Sequence, residues 1–359
     1  MTSLTQRTLL SSIHVGQRTI GPDEPVWVIA EAGVNHNGDA ELALQLIRAA
    51  AECGADAVKF QMFKAEDVVT AAAPKARYQL ETTDPEQSQF EMLKELELPW
   101  NVYPVLVAEA ARHGLAFLCT CYSSDEVDYL DELGVPAFKF ASALIIELPL
   151  IRHAAAKQKP VLLSTGMATL AEVAAGVTAV QEQGAPVALF QCTTDYPADP
   201  ADANLRAIRL MQDEFGVPVG YSDHTVGDAT MLAAIALGAK LVEKHFTLDR
   251  TMRGPDHASS LDVEQFRRMV HRVREVEASL GSAAKEPTPR ELENAAGMRR
   301  SLVVIRDLPA GAVVTADAIA AKRPTGGLPP DAADRVIGMR ARVNITADTQ
   351  LTFDLLDGE

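Results

Sequence analysis

The sequence predicts a (β/α)8 TIM barrel followed by a small β-rich domain, and three observations carry that prediction. Eight short apolar runs recur in order: Val26–Ala30, Ala57–Phe60, Ala116–Cys119, Ala137–Phe140, Val161–Leu163, Val187–Phe190, Val217–Gly220 and Leu241–His245. Helix-period stretches lie between them, such as Ala40–Glu52, Pro104–His113, Ser124–Leu133, Leu170–Gln183, Ala203–Phe215 and Asp228–Leu237. Six of the helical stretches run into a glycine just before the next apolar run (Gly54, Gly114, Gly134, Gly184, Gly216 and Gly238). A glycine there reverses the chain with positive φ and caps the helix.

Each element follows from its composition. The runs are apolar throughout, as parallel strands covered on both faces must be. The stretch from Lys64 to Trp100 is longer than an ordinary strand-to-helix loop and is expected to form one wall of a site. After the helical stretch Val263–Leu280 the chain becomes small, charged and proline-containing, which reads as a linker. The predicted organisation is a barrel over residues 1–281, a linker over 282–298 and a small β domain over 299–359. A core that small is marginal alone and is expected to pack on a barrel, its own or a neighbour's.

The bulk numbers exclude some functions. A net charge of −16 argues against nucleic acid or an anionic membrane as the main partner, though not against a small anionic substrate. The four cysteines (Cys53, Cys119, Cys121 and Cys192) show no disulfide-scaffold spacing and read as buried thiols, implying a reducing, cytoplasmic setting. No apolar stretch is long enough to span a membrane, and no secretory leader is recognisable, so a soluble protein is expected.

The chemistry is expected at the C-terminal ends of the barrel strands, where catalytic groups of this architecture collect. His224 and His245 end the seventh and eighth runs. A lone imidazole is more often simply hydrogen-bonded, but two on neighbouring strand ends suggest a divalent metal site. With only two protein ligands the ion would keep positions open for substrate and water, which favours Mn²⁺ or Mg²⁺ over structural zinc. Residues two apart on a strand share a face. Lys59 therefore lies with Gln61, Glu243 with His245, and Ser222 with His224. Lys59 and Lys139 both follow apolar runs at equivalent positions. Either could cap a strand at the surface; together, with the hydroxyls Thr120, Ser142, Ser164 and Ser222 on the same rim, they suggest an anion site. Glu31 ends the first run and could orient a hydroxyl or act as a general acid or base. Asp256, in the loop after the last run, is placed to meet substrate.

These segments together resemble the sialic acid synthase family, whose members make neuraminate, legionaminate and pseudaminate. The matching stretches include Ile29–Asp39, Ala57–Gln61, Lys139–Ser142, Gly220–Thr225, Val242–Asp249 and Gly254–Leu261. The C-terminal part, with Arg299–Leu302 and Lys322–Pro324, is similar to the family's antifreeze-like (SAF) domain. The resemblance implies a condensation of phosphoenolpyruvate with an N-acylated mannosamine-type sugar aldehyde, giving a nine-carbon 2-keto acid and phosphate. N-acetylneuraminate is the leading product, with N,N'-diacetyllegionaminate or pseudaminate as the alternative. It implies His224 and His245 as metal ligands, and Lys59, Thr120, Lys139, Ser142, Ser164 and Ser222 around phosphoenolpyruvate. Glu31, Gln61, Tyr196 and Asp256 would face the sugar, and Arg323 would reach its N-acyl group from the partner chain of a domain-swapped homodimer. The family's Ser-Gly-Glu after the fourth-strand lysine is Ser142-Ala143-Leu144 here, implying a lost sugar contact and a less hydroxylated acceptor. Its Ser-Thr-Pro-Phe-Asp is Cys119–Ser123 here. A barrel aldolase or hydrolase for another sugar, and a non-enzymatic carbohydrate- or ice-binding protein, are the competing readings.

Overall fold

The computed structural model describes residues 11–357, which divide into two compact units on either side of the Gly281–Ser282 bond. In the first unit, eight parallel strands close into a barrel in sequence order. They are β1 (Trp27–Gly33), β2 (Ala57–Met62), β3 (Ala116–Cys121), β4 (Phe138–Phe140), β5 (Val161–Ser164), β6 (Val187–Cys192), β7 (Val219–Asp223) and β8 (Leu241–His245). The barrel closes where β8 pairs with β1, setting His245 opposite Glu31.

Period-two alternation sorts the strand residues into two cores. Inside the barrel, Trp27, Ile29, Ala57, Leu118, Ala137, Leu162, Ala188, Phe190 and Leu241 form an apolar floor. Outside, Val28, Ala30, Val58, Phe60, Phe117, Phe138, Leu163, Leu189 and Val242 pack under the surrounding helices. Cys119 and Cys121 fall on the outer face and Thr120 between them falls inside. All four cysteines are buried free thiols.

Several elements escaped the sequence reading. An N-terminal hairpin, Ile13–Val15 paired with Arg18–Ile20, adds Ile13, Val15 and Ile20 to the inner core and closes the barrel bottom. Helix Leu148–Ala155 between β4 and β5 is only two turns long and carries Pro149 in its first turn, which hid its period. The stretch expected to be a linker holds helix Pro289–Met298, begun by a capping box between Thr288 and Glu291. None of its residues is buried, so apolar periodicity could not reveal it. In addition β7 runs on to Asp223, beyond the predicted run, so Ser222 lies within the ladder.

The second unit is built from two antiparallel ribbons. Ser301–Val304 pairs with Ile319–Lys322, and Arg340–Ala341 pairs with Leu356–Asp357. Leu302, Val304, Leu308, Val314, Val336, Ile345 and Leu351 form its own core. Arg323 is exposed, immediately after the second of these strands. Among the described residues no helix is long and apolar enough to cross a membrane.

Candidate active site

Above the apolar floor the inward positions of nearly every strand turn polar, and their side chains interlock. The Lys59 ammonium on β2 stands 2.7 Å from Glu31 of β1 and 3.7 Å from Glu243 of β8. It also donates to the Thr120 hydroxyl on β3 at 3.2 Å. Lys139 on β4 donates to Ser164 on β5 at 2.6 Å and lies 3.8 Å from Glu243. Ser222 on β7 donates to Glu243 at 2.9 Å. Glu243 thus ties both lysines together from across the barrel. The sequence placed it on the same face as His245 but gave it no role; the alternation in Glu243-Lys244-His245 was the signal available.

All these groups are almost completely buried. Burial alone would neutralise them. For Lys59, burial is outweighed by Glu243 and Glu31, which hold its ammonium above the ordinary lysine value. For Lys139, burial prevails over the attraction of Glu243, and its value falls. Burial raises Glu31 against the pull of Lys59, whereas for Glu243 the two lysines overcome burial and hold it low. The rim therefore carries a carboxylate between two amines, with a second carboxyl that holds a proton more readily.

Glu31 reaches this position through an irregularity in β1. The register shifts between Glu31 and Gly33, and Gly33 adopts φ +51°. A β-carbon at Gly33 would stand 3.1 Å from Glu31 Oε1, 3.4 Å from Gln61 Nε2 and 3.7 Å from Asp256 Oδ2. Three polar atoms thus converge on space that a side chain would fill. Gln61 donates to Glu31 at 3.0 Å and accepts from Tyr122 at 3.2 Å.

The histidines end adjacent strands with ring centroids 5.3 Å apart. His224 Nδ1 lies 2.7 Å from the Thr193 carbonyl and donates to it, which leaves Nε2 with its lone pair. Burial lowers His224 to about 4 and pushes His245 well below the usual imidazole range, so both rings are neutral at working pH. His245 Nδ1 is buried without a hydrogen-bond partner, the Asp256 carboxylate lying 3.6 Å away. Two neutral imidazoles, one with an unpartnered buried nitrogen, suit a divalent cation that retains open positions. Among the described residues no third His, Cys, Asp or Glu joins them to complete a ligand cluster. Burial, followed by the nearby Glu31, pushes Asp256 up to about 7.

On the outer face the intervening residues form a different pair. Lys244 donates to Asp223 at 2.8 Å and to the Thr225 carbonyl at 2.5 Å, which anchors the chain on both sides of His224. Tyr196 covers the imidazoles, its ring 4.2 Å from His224 and 5.6 Å from His245. Tyr78, from the long segment after β2, packs 5.0 Å from Tyr196. That segment folds into short helices Ala65–Val68, Arg77–Thr82 and Gln89–Leu96. It walls a cavity of about 560 Å³ that Gln61, Tyr122, Tyr196, His245 and Asp256 also line.

Apart from Ser142, the site residues expected from the barrel part of the sequence meet one another through these contacts. Ser142 is bound on both sides, accepting from the Gly166 amide at 3.0 Å and lying 3.1 Å from Cys192 Sγ. Leu144 corrects one expectation: its side chain joins the core between barrel and helices, and Ala143 lines the cavity instead. The absence of a polar group there still stands, but Leu144 does not itself face the cavity. Arg323 belongs to the second unit and is exposed there.

The closed barrel, its polar mouth and the small β unit define the class to which the comparisons point. The NeuB family model matches residues 46–285 and the SAF domain model matches residues 299–357. The chain is 39% identical over 347 residues to the N,N'-diacetyllegionaminic acid synthase of Legionella pneumophila, covering 95% of this chain and 98% of that protein. It is 34% identical over 342 residues to the N-acetylneuraminate-9-phosphate synthase of Homo sapiens, covering 95% of each. The crystal structure of N-acetylneuraminic acid (sialic acid) synthetase from Leptospira borgpetersenii aligns with a TM-score of 0.73 at 32% identity, over 80% of this chain and 95% of that one. The chain belongs to the NeuB family of sialic-acid-type synthases and carries a C-terminal SAF domain.

Proposed function

We propose that the chain condenses phosphoenolpyruvate with an N-acylated mannosamine-type sugar in its open aldehyde form, releasing phosphate and a nine-carbon 2-keto acid. The observation that carries this reading is the pairing of two buried lysines with two neutral imidazoles at one barrel mouth. Lys59 and Lys139, with Thr120, Ser142, Ser164 and Ser222, would take the charged groups of phosphoenolpyruvate. Lys139 faces only Glu243 at 3.8 Å, so an anionic ligand would give it a second partner, whereas Lys59 already meets both Glu31 and Glu243. Glu31, Gln61, Tyr196 and Asp256 would face the sugar.

His224 and His245 would hold Mn²⁺ or Mg²⁺, which supplies Lewis-acid polarisation of the aldehyde when bound. The C3 carbon of phosphoenolpyruvate attacks the aldehyde carbon, the C=O electron pair moves onto the aldehyde oxygen, which takes up a proton, and positive character develops at C2. Water adds there and phosphate departs with the bridging oxygen. Asp256, titrating near 7, and Glu31, also raised, are the carboxyls suited to take the proton that this water loses. Tyr78 and Tyr196 wall one side of the cavity in which this charge would develop.

For the acceptor, we favour a doubly N-acylated sugar over N-acetylmannosamine. Two relatives named N,N'-diacetyllegionaminic acid synthase are 39% and 40% identical, against 34% for the N-acetylneuraminate-9-phosphate synthase. The apolar Ala143 at the cavity is consistent with an acceptor that presents an acylamino group or a deoxy carbon where others carry a hydroxyl. Arg323 would contact an N-acyl group from the partner chain of a domain-swapped homodimer. Phosphate release should be measured over a panel of mono- and diacylated hexosamines with Mn²⁺ or Mg²⁺. The diacylated forms should give the highest kcat/KM. Faster turnover of N-acetylmannosamine would return the assignment to the neuraminate branch, and pyruvate release would favour an aldolase. Histidine replacement at the metal site, His224→Ala or His245→Ala, should lower Mn²⁺ affinity measured by calorimetry.

A further inference from the structure

We propose that Tyr122 is a positioning residue, which locks the Gln61 amide so that this side chain meets the acceptor sugar as a hydrogen-bond donor. The inference deepens the proposed reaction and rests on it for the identity of the ligand.

The Glu31 carboxyl, 2.7 Å from the Lys59 ammonium, accepts from the amide nitrogen of Gln61 at 3.0 Å. The amide oxygen then points the other way and meets the Tyr122 phenol at 3.2 Å. Burial raises the Tyr122 phenol above its ordinary value, so it keeps its proton and donates throughout the working range. With a phenylalanine in place of Tyr122, that oxygen would be free to accept from a ligand instead.

Both ends of the bridge are fixed by independent contacts. The Gln61 backbone carbonyl accepts from the Tyr103 hydroxyl at 3.1 Å. The Tyr122 ring packs edge to face on Phe63, with centroids 6.0 Å apart and planes at 81°. The Tyr122 amide donates to Glu126 at 2.6 Å and the Ser123 amide donates to the same oxygen at 3.1 Å. Gln61 is left with one uncommitted N–H, beside the gap that Gly33 leaves open, which Asp256 Oδ2 also borders. A ligand oxygen seated there, a hydroxyl or an acyl carbonyl, accepts from Gln61; a hydroxyl can also donate to Asp256.

The test is a double-mutant cycle between Tyr122→Phe and Gln61→Leu, read in two ways. Tyr122→Phe should raise KM for the amino-sugar acceptor about five- to tenfold, leave KM for phosphoenolpyruvate within about twofold, and add less than about twofold in the Gln61→Leu background. Equal rises in both KM values, or a full further loss in the Gln61→Leu background, would overturn the inference. The same cycle in thermal unfolding reads the contact without turnover. Tyr122→Phe should lower Tm by about 2–4 °C in the parent and by less than half of that alongside Gln61→Leu; equal losses in both backgrounds overturn the bridge. If no acceptor supports phosphate release by the parent enzyme, the proposed reaction fails, while the unfolding cycle still decides the Tyr122–Gln61 contact.

Discussion

Lys59 and Glu31 face each other across β1 and β2 as a fully buried ion pair at 2.7 Å, with Glu243 completing a second contact at 3.7 Å. A buried charge is tolerable only while its partner remains, since removing one member strands the other in low dielectric. Lys59→Met should therefore cost about 3–5 kcal/mol of unfolding free energy. Adding Glu31→Gln should recover part of that loss. Urea unfolding of the single and double variants measures both, and strict additivity would contradict the pairing.

Asp223 and Lys244 form the corresponding pair on the outer face, at 2.8 Å, on either side of the β7–β8 seam. Asp223→Ala leaves Lys244 buried and unpaired, and again should cost about 3–5 kcal/mol. Because Lys244 also grips the Thr225 carbonyl, the same variant should weaken Mn²⁺ binding through displacement of His224. Calorimetric titration of the folded variant checks this; unchanged affinity would show that the pair serves stability alone.

Burial pushes the Glu126 carboxyl up to about 7, against the Tyr122 and Ser123 amides that draw it down. An unfolded glutamic acid titrates near about 4.3. The folded chain thus keeps a proton that the unfolded chain has lost. The stability from the neutral carboxyl is full below about pH 4.3 and is lost as pH rises through about 7. Glu126→Gln cannot ionise, so its urea midpoint should gain on the parent between about pH 5 and 7.5. A constant difference across that range would refute the shift.

Gly33 holds φ +51° and leaves room where Glu31, Gln61 and Asp256 converge. Gly33→Ala should cost about 1–2 kcal/mol for the left-handed backbone. Its methyl group would also fill the gap, so KM for the acceptor should rise more than KM for phosphoenolpyruvate. Steady-state kinetics with each substrate varied separately distinguishes this from general damage.

Much of this site was legible because a strand repeats every two residues. Lys59 with Gln61, and Ser222 with His224, share faces in the sequence, and the closed barrel keeps those faces inward. What the sequence does not show is which inward residues meet across the barrel. Glu243 reaches Lys59 and Lys139 from strands far away in the chain, a consequence of barrel closure rather than of any local pattern. The hairpin Ile13–Ile20 was hidden for a related reason: its three inward apolar side chains gain meaning only against the open barrel floor. Leu144 misled because a short 3-10 turn after β4 rotates it into the core and presents Ala143 to the cavity.

The most direct test follows phosphoenolpyruvate carrying an isotopic label in its bridging oxygen, incubated with Mn²⁺ and a diacylated hexosamine. The phosphate released should retain the label, appear in equal amount with a nine-carbon keto acid, and be absent when the sugar is omitted. Label-free phosphate, or release that does not need the sugar, would contradict a condensation at this barrel mouth.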